Sequence, residues 1–195
     1  MHARSTWFIS LAILLLMSSG VHAAMSVFGS PAAVTCFEQA DAGSTDPRTC
    51  NKALQDPDMI DRDRASTYVN RGIIYNNARK MNLALADFAA ALAIDSNIAE
   101  AYLNRGNSKF LQQKFDEAIA DYTRAIELKI DRMSAAYYDR SLAYVNEGRF
   151  TEAKADLEAA LAVDPDFKEA KDQLAALNQA MTGGAQKPPT QATPR

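Results

Sequence analysis

Histidine is almost missing from this sequence of 195 residues, because its two copies, His2 and His22, both lie near the amino terminus. The single tryptophan, Trp7, lies there too. Histidine is the commonest general base and metal ligand near neutral pH. A chain that begins near Ala24 would have no serine–histidine or cysteine–histidine nucleophile system and few routes to a zinc site. We therefore expect no catalytic residue, no metal and no cofactor.

An excess of positive charge is also missing. The sequence has 21 Lys and Arg against 24 Asp and Glu, a formal net charge of -3. Binding to nucleic acid phosphates requires clustered Lys and Arg, whereas the charges here are interspersed. The sequence therefore predicts no nucleic-acid partner.

A hydrophobic run long enough to cross a membrane is missing as well. The apolar run from Trp7 to Met17 follows Arg4 and is succeeded by small residues that end at Ala23. A spanning helix needs about 20 apolar residues, so this pattern predicts a cleaved signal peptide over residues 1–23. We expect a periplasmic or secreted protein with no stable membrane span after processing. The alternatives are an uncleaved anchor and a start at Met25.

What the sequence does contain is internal repetition. Gly72 and Gly106 end the segments Tyr-Val-Asn-Arg-Gly and Tyr-Leu-Asn-Arg-Gly, 34 residues apart, and Tyr-Tyr-Asp-Arg-Ser ends 35 residues later at Ser141. One extra residue therefore lies within Lys129–Met133. A second, alanine-rich segment follows each copy. Apolar residues recur every three or four positions without interior proline, which predicts two helices in each unit.

These units resemble tetratricopeptide repeats, in which two antiparallel helices are joined by a tight turn. The first unit matches the family pattern at Tyr68, Gly72, Tyr75, Ala84, Phe88 and Ala91. The later units depart from it where Lys109 and Leu157 replace aromatic residues and Ser141 replaces glycine. The resemblance implies three repeats over residues 65–166 in an all-α, right-handed superhelical stack of antiparallel helix pairs. We expect Gly72 to face Ala84 where the two helices approach.

A stack of repeats needs covered ends, because one helix pair cannot bury its apolar face alone. Apolar residues at helical spacing predict a capping helix over residues 167–180. Residues 181–195, rich in Gly, Pro and polar residues, are predicted to be disordered. At the other end, residues 31–56 read as a degenerate helix pair.

Cys36 and Cys50 are the only cysteines, and one falls on each helix of that degenerate pair. In an oxidising compartment a disulfide between them would pin the pair together. A closed loop of about 15 residues corresponds to about 3 kcal/mol in the chain-entropy estimate. The alternatives are buried free thiols or a redox pair, although the spacing is not C-x-x-C.

A charged pattern also recurs in register with the repeat. An arginine precedes each Gly or Ser position, and an aspartate follows 16 residues later. The predicted pairs are Arg71–Asp87, Arg105–Asp121 and Arg140–Asp156. A partly buried arginine needs a partner, and its guanidinium can hold a carboxylate through two hydrogen bonds. We predict structural ion pairs rather than a ligand site.

The resemblance also implies a concave groove lined by the first helices of successive units. The candidate groove residues are Val69, Ile73, Asn76, Leu103, Asn107, Phe110, Leu111, Tyr138, Leu142 and Val145. They lack the Lys and Arg with which some family members grip a C-terminal carboxylate. The predicted ligand is therefore an amphipathic helix or an extended segment of another protein. Alternatively, the chain's own capping helix or tail fills the groove.

Together these features predict an exported adaptor, a protein–protein interaction module and not an enzyme. The alternative function is a self-assembling structural component of an envelope complex. The sequence sets neither the oligomeric state nor the partner.

Overall fold

The computed structural model describes Met25 and residues 30–182. Over these residues the chain forms nine α-helices and no strand, which confirms the all-α prediction. The predicted signal peptide and residues 183–195 lie outside the described part. No helix in that part is both long and apolar enough to span a membrane. The helices are α1 (Pro31–Asp41), α2 (Arg48–Ala53), α3 (Asp61–Asn77), α4 (Met81–Ile94), α5 (Ala99–Leu111), α6 (Phe115–Glu127), α7 (Met133–Asn146), α8 (Phe150–Val163) and α9 (Lys168–Thr182).

The three repeats are the helix pairs α3–α4, α5–α6 and α7–α8. Each first helix packs against its own second helix, and each second helix packs against the next first helix along the chain. The stack continues at its carboxyl-terminal end, where α9 packs against α8. Apolar side chains on both helices of each pair are buried in this way, as the amphipathic periodicity requires.

The turn inside each repeat has the same backbone geometry. Arg79, Gln113 and Gly148 all have positive φ, at 58°, 62° and 74°. The amide after each one returns to the carbonyl five residues earlier, as from Lys80 to Tyr75 at 2.8 Å. This left-handed helix ending costs little for glycine and more for other residues. Only the third repeat uses glycine there.

The links between repeats are built from short polar turns. The Asp95 carboxylate accepts from the Asn97 amide at 2.9 Å, and the Asp164 carboxylate accepts from the Asp166 amide at 3.0 Å. Such turns reverse the chain without help from other residues. The link from Glu127 to Met133 is one residue longer than that from Ile94 to Ala99. The extra residue therefore lies where the repeat spacing places it.

The glycine of the first two repeats faces an aromatic ring. A Cβ on Gly72 would lie 2.5 Å from Phe88 Cε1, and one on Gly106 would lie 2.6 Å from Tyr122 Cε1. The expectation that Gly72 faces Ala84 was wrong in this detail, because the nearest atoms belong to the Phe88 ring. Any larger residue at these glycines would collide with a fully buried ring.

The amino-terminal pair is small and strongly tethered. A disulfide joins Cys36 of α1 to Cys50 of α2, with the Cα atoms 4.8 Å apart. The irregular segment after α2 is tied to α3 by Arg64, whose guanidinium donates to the carbonyls of Leu54, Asp56 and Met59. These bonds satisfy carbonyls that no helix or strand would otherwise pair.

Candidate functional site on the first helices

The ten predicted groove residues lie on α3, α5 and α7, the first helices of the repeats. Asn76 and Leu111 are partly exposed. The other eight are buried. In this structure the face is therefore covered rather than open, and a partner would contact it only by displacing what lies over it. The buried residues are Val69, Ile73, Leu103, Asn107, Phe110, Tyr138, Leu142 and Val145.

At the carboxyl-terminal end of this face, the capping region provides part of the cover. The Tyr138 ring on α7 lies against the ring of Phe167, which directly precedes α9, with centroids 5.0 Å apart. Both side chains are buried. The third repeat thus closes its inner face with residues from beyond the repeats.

At the amino-terminal end, a residue from before the repeats contacts the same face. The Met25 amide donates to Asn70 Oδ1 at 2.8 Å, and Asn70 Nδ2 donates to the Met25 carbonyl at 2.8 Å. The Met25 side chain packs against an apolar cluster that includes Val69 and Ile73. Asn70 therefore pairs with both polar groups of one backbone residue, while neighbouring groove residues receive its side chain.

Asparagines connect the first two repeats along the same face. Asn76 donates to the Asn104 carbonyl at 3.4 Å and accepts from the Ser108 hydroxyl at 2.8 Å. The Tyr122 hydroxyl donates to Asn107 Oδ1 at 2.9 Å. Burial raises the pKa of Tyr122 well above its ordinary value, so this hydroxyl stays a donor. These bonds fix the first two repeats relative to each other and orient Asn107.

The structure brings each predicted arginine and aspartate together through two hydrogen bonds. The Nε and Nη2 atoms of each arginine meet the two carboxylate oxygens of its aspartate at 2.6–2.9 Å. The three aspartates are buried. In the second repeat, the hydrogen bond to Asp121 raises the pKa of Arg105. The pairs join the two helices of each repeat.

Each arginine also has neighbours beyond its aspartate. Arg71 Nη1 donates to Asn51 Oδ1 on α2 at 2.8 Å. Arg140 Nη1 donates to Thr123 Oγ1 on α6 at 2.9 Å. In both cases the acceptor belongs to the second helix of the preceding pair. Tyrosine rings lie within cation–π distance of all three guanidinium groups. These arginines therefore hold neighbouring units together as well as the helices within one unit.

The second repeat contains an ion pair that the sequence pattern did not reveal. Lys109 occupies the aromatic position of the family pattern, and its Nζ lies 2.9 Å from Asp121 Oδ2. Asp121 thus receives two cations, Arg105 and Lys109. The signal was present, because Lys109 is four residues after Arg105 on the same helix face.

The described residues offer no alternative chemical centre. Across Met25 and residues 30–182, no group of three or more His, Cys, Asp or Glu side chains is placed to hold a metal ion. The polar groups of the inner face are mainly amides, which hydrogen-bond to peptides and do not attack them. The geometry suits binding.

The fold and this face define a class of protein: a helical repeat stack whose first helices form one continuous surface. Residues 99–130 match one description of the tetratricopeptide repeat, and residues 65–98 and 134–167 match another. These matches cover just over half of the chain, which belongs to the tetratricopeptide repeat family. No curated protein sequence matches the chain.

Solved structures with this fold include two peptide complexes. The first TPR of Spaghetti (RPAP3), bound to the HSP90 peptide SRMEEVD, is 26% identical with a TM-score of 0.60, and the match covers 63% of this chain and 97% of that one. The second TPR domain of human RPAP3, in complex with the HSP70 peptide SGPTIEEVD, is 28% identical with a TM-score of 0.58, covering 61% and 98%. MamA, at 24% identity and a TM-score of 0.65 over 80% and 87%, shares the fold.

Proposed function

We propose that this protein is an exported adaptor that binds an extended, largely apolar segment of another protein on the inner face of α3, α5 and α7. The observation that carries the proposal is the paired contact of Asn70 with the backbone of Met25. It shows the kind of ligand that this face accommodates. A backbone residue pairs with the asparagine while its apolar side chain enters the cluster beside it.

The chemistry of the asparagine explains why the ligand is extended. One carboxamide offers an acceptor and a donor side by side, and these match the N–H and C=O of a single residue in an extended chain. Within a helix both groups bond inside the helix itself. Recognition of this kind reads the backbone, and the neighbouring apolar positions select the side chain, as in other modes of peptide recognition.

Comparison with the peptide complexes supports peptide binding and narrows the ligand. The two RPAP3 domains bind peptides that end in Glu-Glu-Val-Asp. The ten groove candidates of this chain contain apolar residues, asparagine and tyrosine but no Lys or Arg. An acidic tail would find no countercharge among them. We therefore propose a ligand with few charges, which approaches through its backbone and apolar side chains.

Two features support a location outside the cytosol. The first 23 residues have the pattern of a secretory signal, and Cys36 and Cys50 form a disulfide. Disulfides persist mainly in oxidising compartments. We propose that the mature protein is periplasmic or secreted and acts without a catalytic site.

Photo-crosslinking tests the proposed binding face. A photoreactive residue replaces Leu111, which lies on α5 and is partly exposed, or Ala120, which is exposed on the second helix α6. We expect one protein to be captured in the native envelope from position 111 and not from position 120. Equal capture at both positions, or capture at 120 alone, would contradict the proposal.

Light scattering separates the adaptor from the structural alternative. An adaptor that binds through its inner face has a molar mass independent of its own concentration. A self-assembling component would gain mass as concentration rises, because its interfaces then join copies of the same chain. We expect the constant mass.

A further inference from the structure

We infer that Met25 is a built-in ligand of the groove, which covers the amino-terminal end of the binding face and competes with the partner. The inference rests on the proposed function, since it names the occupant that the partner must displace. It differs from the sequence expectation, in which the capping helix or the tail was the candidate occupant. Here the occupant comes from the other end of the chain.

The contact links residues that are far apart in sequence. Met25 and Asn70 are 45 residues apart, and their two hydrogen bonds are both 2.8 Å long. Met25 also packs against the cluster that contains Val69 and Ile73. The contact thus combines backbone hydrogen bonds with an apolar anchor, which are the two elements expected of a peptide ligand.

Burial makes this contact energetically necessary in the free protein. The Asn70 side chain is fully buried, at 0% exposure. A buried amide without hydrogen bonds costs about 1–3 kcal/mol. Met25 removes that cost by pairing with both polar atoms of the carboxamide. A partner that displaces Met25 must supply a backbone N–H and C=O in its place, and this requirement favours extended segments over helices.

The length of the tether makes the competition effective. Helix α1 begins at Pro31, six residues after Met25, and packs against α3. A short connection of this kind gives the attached ligand an effective concentration on the order of millimolar. If Met25 covers the face in about nine of ten molecules, the partner's apparent affinity falls about tenfold. Cleavage after Ala23 would leave Met25 as the second residue of the mature chain.

Hydrogen exchange on the full chain tests the contact directly. We expect the Met25 amide to exchange at least about tenfold more slowly than an unprotected amide, because it donates to a buried acceptor. Asn70→Ala should abolish this protection. The matched control is Asn146→Ala, since Asn146 lies on α7 and donates to the Leu142 carbonyl of its own helix. An unprotected Met25 amide in the unaltered chain overturns the inference.

Competition provides a second test that does not depend on the Asn70 variant. The probe is a synthetic peptide of residues 24–29, Ala-Met-Ser-Val-Phe-Gly. We expect it to bind the full-length Met25→Asp chain about tenfold more tightly than the unaltered chain, because the charged residue no longer occupies the apolar cluster. Equal affinity, or no binding to either chain, overturns the inference. Capture of a partner from position 111 would still support the proposed function, so the two failures are distinguishable.

Discussion

The first two repeats and the third fill the same space in different ways. In the first two, a glycine on the first helix lies under a buried aromatic ring, Phe88 or Tyr122. In the third, Ser141 replaces the glycine and Leu157 replaces the ring, and both are buried. The larger residue on one helix accompanies the smaller residue on the other. The comparison teaches that the repeat requires a total volume between its helices rather than a particular residue at either position.

The strongest way to break this comparison is to give the second repeat only half of the third repeat's solution. Gly106→Ser places a Cβ against the Tyr122 ring, and we expect a loss of about 3 kcal/mol in the free energy of unfolding. Urea unfolding measures it. Adding Tyr122→Leu should recover part of the loss, because the leucine leaves room for the serine. A double variant that loses the sum of the two single effects would contradict the volume argument.

The arginine pairs give a second contrast, because Asp121 receives two cations where Asp156 receives one. Asp121→Ala leaves both Arg105 and Lys109 without their carboxylate, and we expect a loss of about 2 kcal/mol. Asp156→Ala should cost less. The control is Glu117→Ala on the exposed side of α6, with an expected loss below about 0.5 kcal/mol. Equal unfolding free energies for the Asp121 variant and the unaltered chain would rule out a structural role for the pair.

A smaller difference concerns the contact between neighbouring units. Asn51 and Thr123 each accept a hydrogen bond from the arginine of the next unit, whereas the corresponding residue before the second repeat is Ala89. We expect Ala89→Thr to be more stable than Ala93→Thr by about 1 kcal/mol, because only the first gives Arg105 a new acceptor. Both changes carry the same helix-propensity cost on α4. Identical thermal midpoints for the two variants would show that no such contact forms.

The smallest expected effect concerns the turns within the repeats. Gln113 adopts a positive φ of 62° where the third repeat has Gly148. Gln113→Gly should raise the unfolding free energy by about 0.5 kcal/mol, since glycine adopts this conformation without steric cost. The reverse change, Gly148→Gln, should lower it by a similar amount. Thermal unfolding of both variants measures the pair, and effects of the same sign would contradict the explanation.

Much of the fold follows from periodicity in the sequence. The 34-residue spacing predicts the helix pairs, and the recurrence of Arg71 and Asp87 in later repeats points to a contact, because a repeated offset implies a repeated geometry. The same spacing did not identify the neighbour of Gly72. Which side chain of a facing helix lies closest depends on the depth of packing, and sequence distance does not encode it.

The candidate site was harder to predict than the fold. Family resemblance indicates which helix face is concave, but it does not show that Val69 and Ile73 are covered. The contact of Met25 with Asn70 occurs once, outside any repeat, so no pattern announces it. The pairing of Lys109 with Asp121 was hidden for another reason: a residue that departs from the family pattern was counted as a missing aromatic and not as a new ion pair.

The most direct test of the central claim is to locate binding with isoleucine methyl signals in nuclear magnetic resonance. Ile73 lies on the inner face of α3, whereas Ile94 and Ile126 lie on the second helices α4 and α6. The captured partner segment is titrated into the full chain. We predict that the Ile73 methyl signal shifts while those of Ile94 and Ile126 stay in place. Shifts at Ile94 or Ile126 with an unchanged Ile73 would contradict binding on the first helices.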